Sequence, residues 1–335
     1  MHPASGCVKK GGRKSYLDST PELAKNFEAV VEEYTAGDPV HEDVKWTNLT
    51  QQQIAAALDT AGTPASTSVV RKLLHHFGFK RRKPSKVLVM GSHPDADAQF
   101  QKITRLKREF LKAGEPVISI DTKKKELLGN FSRGGTLQAV APVKVFDHDF
   151  GGQARGVAIP HGIYDLAQNI GHVTIGTSHD TSRFAIDSLL WWWEGQARHS
   201  YPKAKRVLIL CDGGGSNGSR SYLFKAELQR FADSTGLEVR MAHYPPYKSK
   251  YNPIEHRLFP HIDRSYRGVI LKTAETIRDL IQTTFTSTGL TVTANILNTI
   301  YETGRKISAD LRQALRWFPD RFLRDWNYRI LPHVT

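Results

Sequence analysis

The stretch Arg206-Val207-Leu208-Ile209-Leu210-Cys211-Asp212-Gly213-Gly214-Gly215-Ser216-Asn217 decides how the rest of the chain is read. Residues 207–211 form an unbroken apolar run, the pattern of a strand buried on both faces, and they lead straight into a carboxylate. Such a strand delivers Asp212 to its own end. The glycines that follow carry no side chains, so a bulky anionic substrate such as nucleic-acid backbone can approach the carboxylate closely. Taken alone, the stretch reads first as an ordinary strand-to-loop turn with a solvated aspartate, and it is the company of other acids that tips the balance. It is not a phosphate-binding loop of the Walker kind, because no Lys-Ser/Thr pair follows the last glycine.

Two other acids occupy comparable contexts. Pro116-Val117-Ile118-Ser119-Ile120 reads as a strand that ends in Asp121 and is followed by Lys123, Lys124 and Lys125. In Asn252-Pro253-Ile254-Glu255, Asn252 is expected to cap a helix with Pro253 in its first turn, which puts Glu255 where the helix dipole favours a charged acid. A plain capping box has the same spacing. If the two strands are neighbours, both aspartates emerge at one edge of the sheet, and the helix bearing Glu255 can close a triangle. An all-oxygen set of this kind suits Mg²⁺ or Mn²⁺. Two such ions about 3.5–4 Å apart promote in-line displacement at phosphorus. No Ser-His-Asp or Cys-His arrangement competes, and the 14 histidines never fall into zinc spacing with cysteine.

The chain has 335 residues, enough for two or three domains, and its 47 Lys and Arg against 33 Asp and Glu leave a net charge of +14. That surplus points to a polyanionic partner such as DNA. Cys7 and Cys211 are far apart in sequence, so no disulfide is expected and a reducing cytosol fits. No run approaches the roughly 18 apolar residues of a membrane span, and no signal-peptide core is present, so no membrane association is expected.

Residues 1–19 read as a loose basic arm. A helix is expected from Thr20, with Leu23, Phe27, Val30, Val31 and Tyr34 as its apolar stripe. A short helix capped by Thr50 and a turn at Ala61-Gly62-Thr63-Pro64 come next, before a second helix over 66–77. Helix, glycine-containing turn, helix is the helix-turn-helix pattern, which predicts an all-α DNA-binding domain over 20–90. Ser68, Arg71, Lys72 and His75 would then face base edges, and Lys80, Arg81, Arg82 and Lys83 phosphates. A helical hairpin with a solvated basic end has the same pattern. Residues 91–115 read as a linker helix and 116–285 as an α/β catalytic domain, with strands expected at 143–146, 154–163, 172–176 and 237–242. Residues 286–335 read as a C-terminal extension without an assignable role, with a helix over 309–318. Three consecutive tryptophans, Trp191 to Trp193, cannot all face one core, so at least one is expected to touch another domain, a second subunit or DNA.

These phrases together resemble a known family. Asp121 after its strand, Cys-Asp-Gly-Gly-Gly-Ser-Asn around Asp212 and Tyr-Asn-Pro-Ile-Glu-His around Glu255 are similar to the three acidic motifs of DDE transposases. Trp46-Thr47-Asn48-Leu49, the His93 to Phe100 phrase and Gly176-Thr177-Ser178-His179-Asp180-Thr181 point to the ISAzo13-type insertion-sequence group, itself similar to the IS630/Tc1/mariner grouping. The resemblance spans roughly residues 45–330. It implies a ribonuclease-H-like mixed sheet flanked by helices and an N-terminal DNA-binding domain. It also implies Mg²⁺-dependent cutting and joining of DNA at element ends, assembly as a homo-oligomer on transposon ends and target DNA, and a bacterial, nucleoid-associated location. It puts Asp121, Asp212 and Glu255 in the metal-binding and catalytic roles. The interval before Glu255 is longer than is usual in mariner-like relatives, which implies an elongated loop and leaves Asp180 and Asp263 as alternative acids. Lys123, Lys124, Lys248 and Lys250 would hold phosphates, and Asn217 would orient the site or substrate.

Two other functions fit parts of this pattern. A structure-specific nuclease would cut without joining, and a DNA-binding regulator would use the acids only structurally.

Overall fold

The computed structural model describes residues 21–33, 35–37, 45–47, 49–80, 93–136, 140–141 and 143–333. The expected basic arm, Cys7, the Thr20 cap, Tyr34, Arg81, Arg82 and Lys83 lie outside the described residues. The chain divides into two compact units, Met1–Leu88 and Val89–Thr335.

In the first unit, α1 (Pro21–Glu33), α2 (Gln51–Thr60) and α3 (Thr67–His76) accompany a short antiparallel pair, β1 (Thr35–Gly37) and β2 (Lys45–Thr47). Apolar residues at helical spacing face inward, so Leu23, Phe27 and Val31 of α1 meet Ile54, Leu58, Val70 and Leu73 in one buried cluster. Thr50 starts α2 with a reciprocal capping box: its hydroxyl accepts from the Gln53 amide, and the Gln53 side chain accepts from the Thr50 amide at 2.8 Å.

The second unit is built on one large mixed sheet. In chain order it contains α4 (Ala96–Lys112), β3 (Val117–Thr122), β4 (Glu126–Leu128), β5 (Gly156–Asp165), β6 (Ile170–Gly176), α5 (Ser182–Trp192), β7 (Arg206–Cys211), α6 (Tyr222–Thr235) and β8 (Glu238–His243). There follow α7 (Ile254–Arg257), α8 (Phe259–Ser265), α9 (Ala274–Gln282), β9 (Thr291–Leu297), α10 (Ala309–Ala314), β10 (Trp317–Pro319) and β11 (Asn327–Ile330). The strand order is β10-β11-β8-β7-β3-β5-β6-β9, with β4 pairing β5. Within β6-β5-β3-β7-β8 only β5 runs against the others, because β3 is parallel to β7, β7 to β8, and β5 is antiparallel to both β3 and β6. This is the ribonuclease-H-like arrangement. Helices α5 and α6 cover one face around Ile118, Ile120, Ile209 and Met241. Helix α4 covers Val117, Leu208 and Leu210 on the other, beside Ile254, Leu258 and Phe259, which pack on Tyr164 and Val173.

Several expectations shift. No strand spans 143–146; Phe146 makes only an isolated bridge to Phe131. The helix expected over 309–318 stops at Ala314, and Trp317 to Pro319 become β10, because adjacent aromatics suit a pleated strand and a proline fits its edge. Residues 291–297 and 327–330 also join the sheet. Trp192 and Trp193 both enter the core while Trp191 packs partly against it.

One close approach fixes how α7 and α8 lie on the sheet. A Cβ at Gly162 of β5 would meet the Phe259 ring at 2.7 Å and the tip of Ile254 at 2.8 Å. Only glycine lets these side chains, which flank Glu255, settle onto the strand beside Asp121. Gly162→Val should therefore destabilise the second unit by about 1–3 kcal/mol, as overpacked cores do, read as a lowered urea midpoint at unchanged slope.

Candidate active site

Because β3 and β7 are parallel, with Ser119 opposite Leu210, the residues just past their pairing point the same way. Asp121 and Asp212 thus leave adjacent strands at one edge, on the face that also receives α7. Asp121 accepts a hydrogen bond from the Thr122 amide at 2.8 Å, and Asp212 accepts one from the Gly214 amide at 3.3 Å. Gly215 takes φ +57°, so the glycine loop needs at least this residue to turn past the carboxylate.

The acids feel one another. Burial, then the charges of Asp212 and Glu255, push the Asp121 carboxyl up to about 8. Glu255 is also raised, mainly by burial with a contribution from Asp212, although a hydrogen bond from Asp121 opposes the shift. The hydrogen bond between Asp121 and Glu255 ties the two carboxyls together at the sheet edge. Among the described residues no three acids, histidines or cysteines are arranged as a ready metal cage. The three carboxylates are close enough to repel yet have not converged on one point. Their chemistry nonetheless fits a hard divalent cation, which would offset both the burial and the mutual repulsion that raise Asp121.

Glu255 is positioned by residues that sequence reading missed or assigned otherwise. Asn252 does not cap α7, whose first residue is preceded by Pro253. Its buried side chain instead crosses to β3: Ser119 Oγ donates to Asn252 Oδ1 at 2.5 Å, and Asn252 Nδ2 donates to the Ile120 carbonyl at 3.2 Å. Ser119 Oγ also accepts from the Ile254 amide at 3.1 Å. The visible signal was a lone hydroxyl within an apolar strand.

The loop after Asp212 is tied down as well. Ser182, at the start of α5, donates to the Ser216 carbonyl at 2.8 Å, and Asp180 accepts from the Thr122 hydroxyl at 3.3 Å. Asp180 thus borders the site from the opposite face of the sheet. Asp263 is held in an ion pair with Lys123 at 2.8 Å, and its charge also bears on Glu255. Free Cys211 is fully buried, and burial beside Asp212 and Asp121 drives its thiol far up, so it is inert.

The expected DNA-contacting residues divide. Lys123 is buried, its ammonium held by Glu126 and Asp263, so it is not free to hold a phosphate. Asn217 is also buried, its carbonyl facing the His243 ring at 3.2 Å, so it braces the loop from beneath. Lys124 and Lys250 are exposed and Lys248 is half-buried. In the first unit Ser68, Arg71, Lys72, His75 and Lys80 are all exposed.

With this geometry in place, comparisons with known proteins give one extensive match. The family model described as the Rhodopirellula transposase DDE domain matches residues 26–332. No curated protein matches. Among solved structures, a Mos1 transposase paired-end complex with left transposon end is similar at 15% identity and TM-score 0.42, over 82% of this chain and 72% of that one. A Mos1 strand transfer complex is similar at 17% identity and TM-score 0.40, over 82% and 72%. A mariner Mos1 paired-end complex with Mg is similar at 13% identity and TM-score 0.42, over 83% and 74%.

The raised Asp121 has a thermodynamic signature. An acid whose folded value exceeds its unfolded value lets the native state hold its proton longer, so native stability falls as pH rises from about 4 to about 8. Metal-free protein should accordingly melt at lower temperature at pH 8 than at pH 5.5. Asp121→Asn should flatten that slope and raise the melting temperature at pH 8.

Proposed function

The chain belongs to the family of the Rhodopirellula transposase DDE domain, which makes it a DDE transposase, and from that premise we propose that Asp121, Asp212 and Glu255 are its catalytic, metal-binding acids. The observation that carries the assignment is that parallel β3 and β7 bring Asp121 and Asp212 out side by side at one sheet edge, while the helix bearing Glu255 is hydrogen-bonded to β3. DDE transposases use divalent metals; here the acids would hold two Mg²⁺ or Mn²⁺ ions. Bound there, the ions supply a nucleophilic oxygen at neutral pH and stabilise the oxygen that leaves phosphorus.

The reaction is hydrolysis at the end of an insertion sequence, with water's oxygen bonding to phosphorus and a 3′-hydroxyl released. That hydroxyl then attacks a target phosphodiester, displacing a second 3′-oxygen, so the number of phosphodiester bonds is conserved. Asp121, Asp212 and Glu255 would be the residues that hold the ions. The glycines at 213–215 leave room for the DNA backbone, and Lys124, Lys248 and Lys250 meet its phosphates.

The domain plan is a basic arm at 1–19, a helix-turn-helix domain at 20–90 and a catalytic domain that takes in the expected linker at 91–115 and extension at 286–335, because α4 packs on the large sheet and β9 to β11 belong to it. Ser68, Arg71, Lys72 and His75 read base edges, and Lys80 to Lys83 grip phosphates. The protein works as a homo-oligomer on paired ends and target DNA, at the bacterial nucleoid. Among the described residues no helix is long and apolar enough to cross a membrane.

Asp121→Asn, Asp212→Asn and Glu255→Gln should each lower Mn²⁺-dependent cleavage of end-containing DNA by at least about 10³-fold. DNA binding should persist. Cleavage retained by any one variant removes that residue from the site. Products that are cut but never joined to target DNA would favour a nuclease instead. Arg71→Ala should weaken binding to the cognate end by about 1–3 kcal/mol while leaving random DNA little affected. An equal loss on both would reassign Arg71 to phosphate.

A further inference from the structure

Resting on the reading of the three acids as a metal site, we propose that Ser119 and Asn252 form a buried clamp that positions Glu255 against Asp121 before any metal binds. Ser119 acts only through Asn252 and the start of α7, as a positioning residue; Asn252 holds α7 to β3 and also hydrogen-bonds the Asp121 carboxyl itself.

The argument begins with where the hydrogen bonds go. Asn252 is fully buried, and both ends of its amide are committed to β3: Oδ1 accepts from the Ser119 hydroxyl and Nδ2 donates to the Ile120 carbonyl. Ser119 Oγ uses its remaining acceptor capacity on the Ile254 amide, one residue before Glu255. The Glu255 amide donates to the Asn252 carbonyl at 3.0 Å, and the Asn252 amide donates to the Ser249 carbonyl at 2.8 Å. Every atom in this circuit is therefore partnered, and the circuit spans two segments separated by more than 130 residues.

The location gives the clamp its function. Helix α7 is only four residues long, Ile254–Arg257, and its cap makes no side-chain hydrogen bond. So short a helix has little stability of its own. Glu255 lies in its first turn, with an acid as its neighbour whose charge opposes close approach. Ser119 precedes Asp121 by two residues on the same face of β3, so a bond to Ser119 references Glu255 directly to the strand that carries Asp121. Ile254, packed over Gly162, adds apolar contact but no register, because its side chain can slide where a fully satisfied amide cannot.

Two measurements test this. Mn²⁺ binding to Ser119→Ala and Asn252→Ala proteins, followed by electron paramagnetic resonance without DNA, should weaken at least tenfold, with fold and end binding retained. Asp121→Asn is the control. If it binds Mn²⁺ as the wild type does, the metal-site reading itself fails. If it loses Mn²⁺ while both clamp variants bind normally, only the clamp is overturned. Independently, hydrogen exchange on the unmutated, metal-free protein should find the Ile254 and Glu255 amides protected, with little change on adding Mg²⁺. Free exchange without metal and protection only with it would overturn the clamp, even if a clamp variant fails to fold.

Discussion

Three carboxylates held in one another's field are what the second unit must accommodate. Charges of like sign at the end of a sheet push apart, and burial raises the energy of each further. Nothing in the acids themselves keeps them close. Backbone pairing does so for Asp121 and Asp212, because parallel strands in register cannot separate without breaking the β3–β7 ladder at the centre of the sheet. For Glu255 the restraint is of another kind: side-chain hydrogen bonds from Asn252 and apolar packing of Ile254 and Phe259 onto a strand surface emptied at Gly162. Burial, with the repulsion that remains, raises the Asp121 carboxyl in the metal-free protein.

The surroundings oppose that repulsion with polar scaffolding more than with counter-charge. Lys123, the cation nearest in sequence, is occupied by Glu126 and Asp263, with the Tyr266 hydroxyl completing the Glu126 contact at 2.9 Å. The site edge therefore stays electronegative, suited to receiving a cation. Positive charge lies farther out, on the exposed Lys124 and Lys250. Such an arrangement separates attraction of a polyanion from the chemistry performed on it.

Much of this was legible in the sequence, for reasons that differ by residue. The apolar run 207–211 identified a doubly buried strand because full burial leaves no alternation to confuse it. The positions of Asp121 and Asp212 at strand ends followed from the same pattern. Asn252 was misread because Asn before Pro is a common cap, and local spacing carries no information about a hydroxyl on a distant strand. Lys123 looked like a phosphate contact for a similar reason: its partner Asp263 is remote in sequence. Strand β10 was hidden inside an apparent helix because a three-residue edge strand is too short to show a period. The tryptophan triplet divides as its spacing implies, with Trp192 and Trp193 in the core and Trp191 only half-buried.

The two outermost parts of the sheet come from the same late portion of the chain: β9 lines β6 at one side, and β10 with β11 line β8 at the other. All three acids precede them in sequence. A ribosome that has just released Glu255 has made every reactive group but neither border, so β6 and β8 still present bare rows of backbone donors and acceptors. Nascent or prematurely terminated chains are thus open to edge-to-edge association with other strands. The borders separate a polypeptide that merely contains the acids from one that remains monodisperse long enough to find DNA.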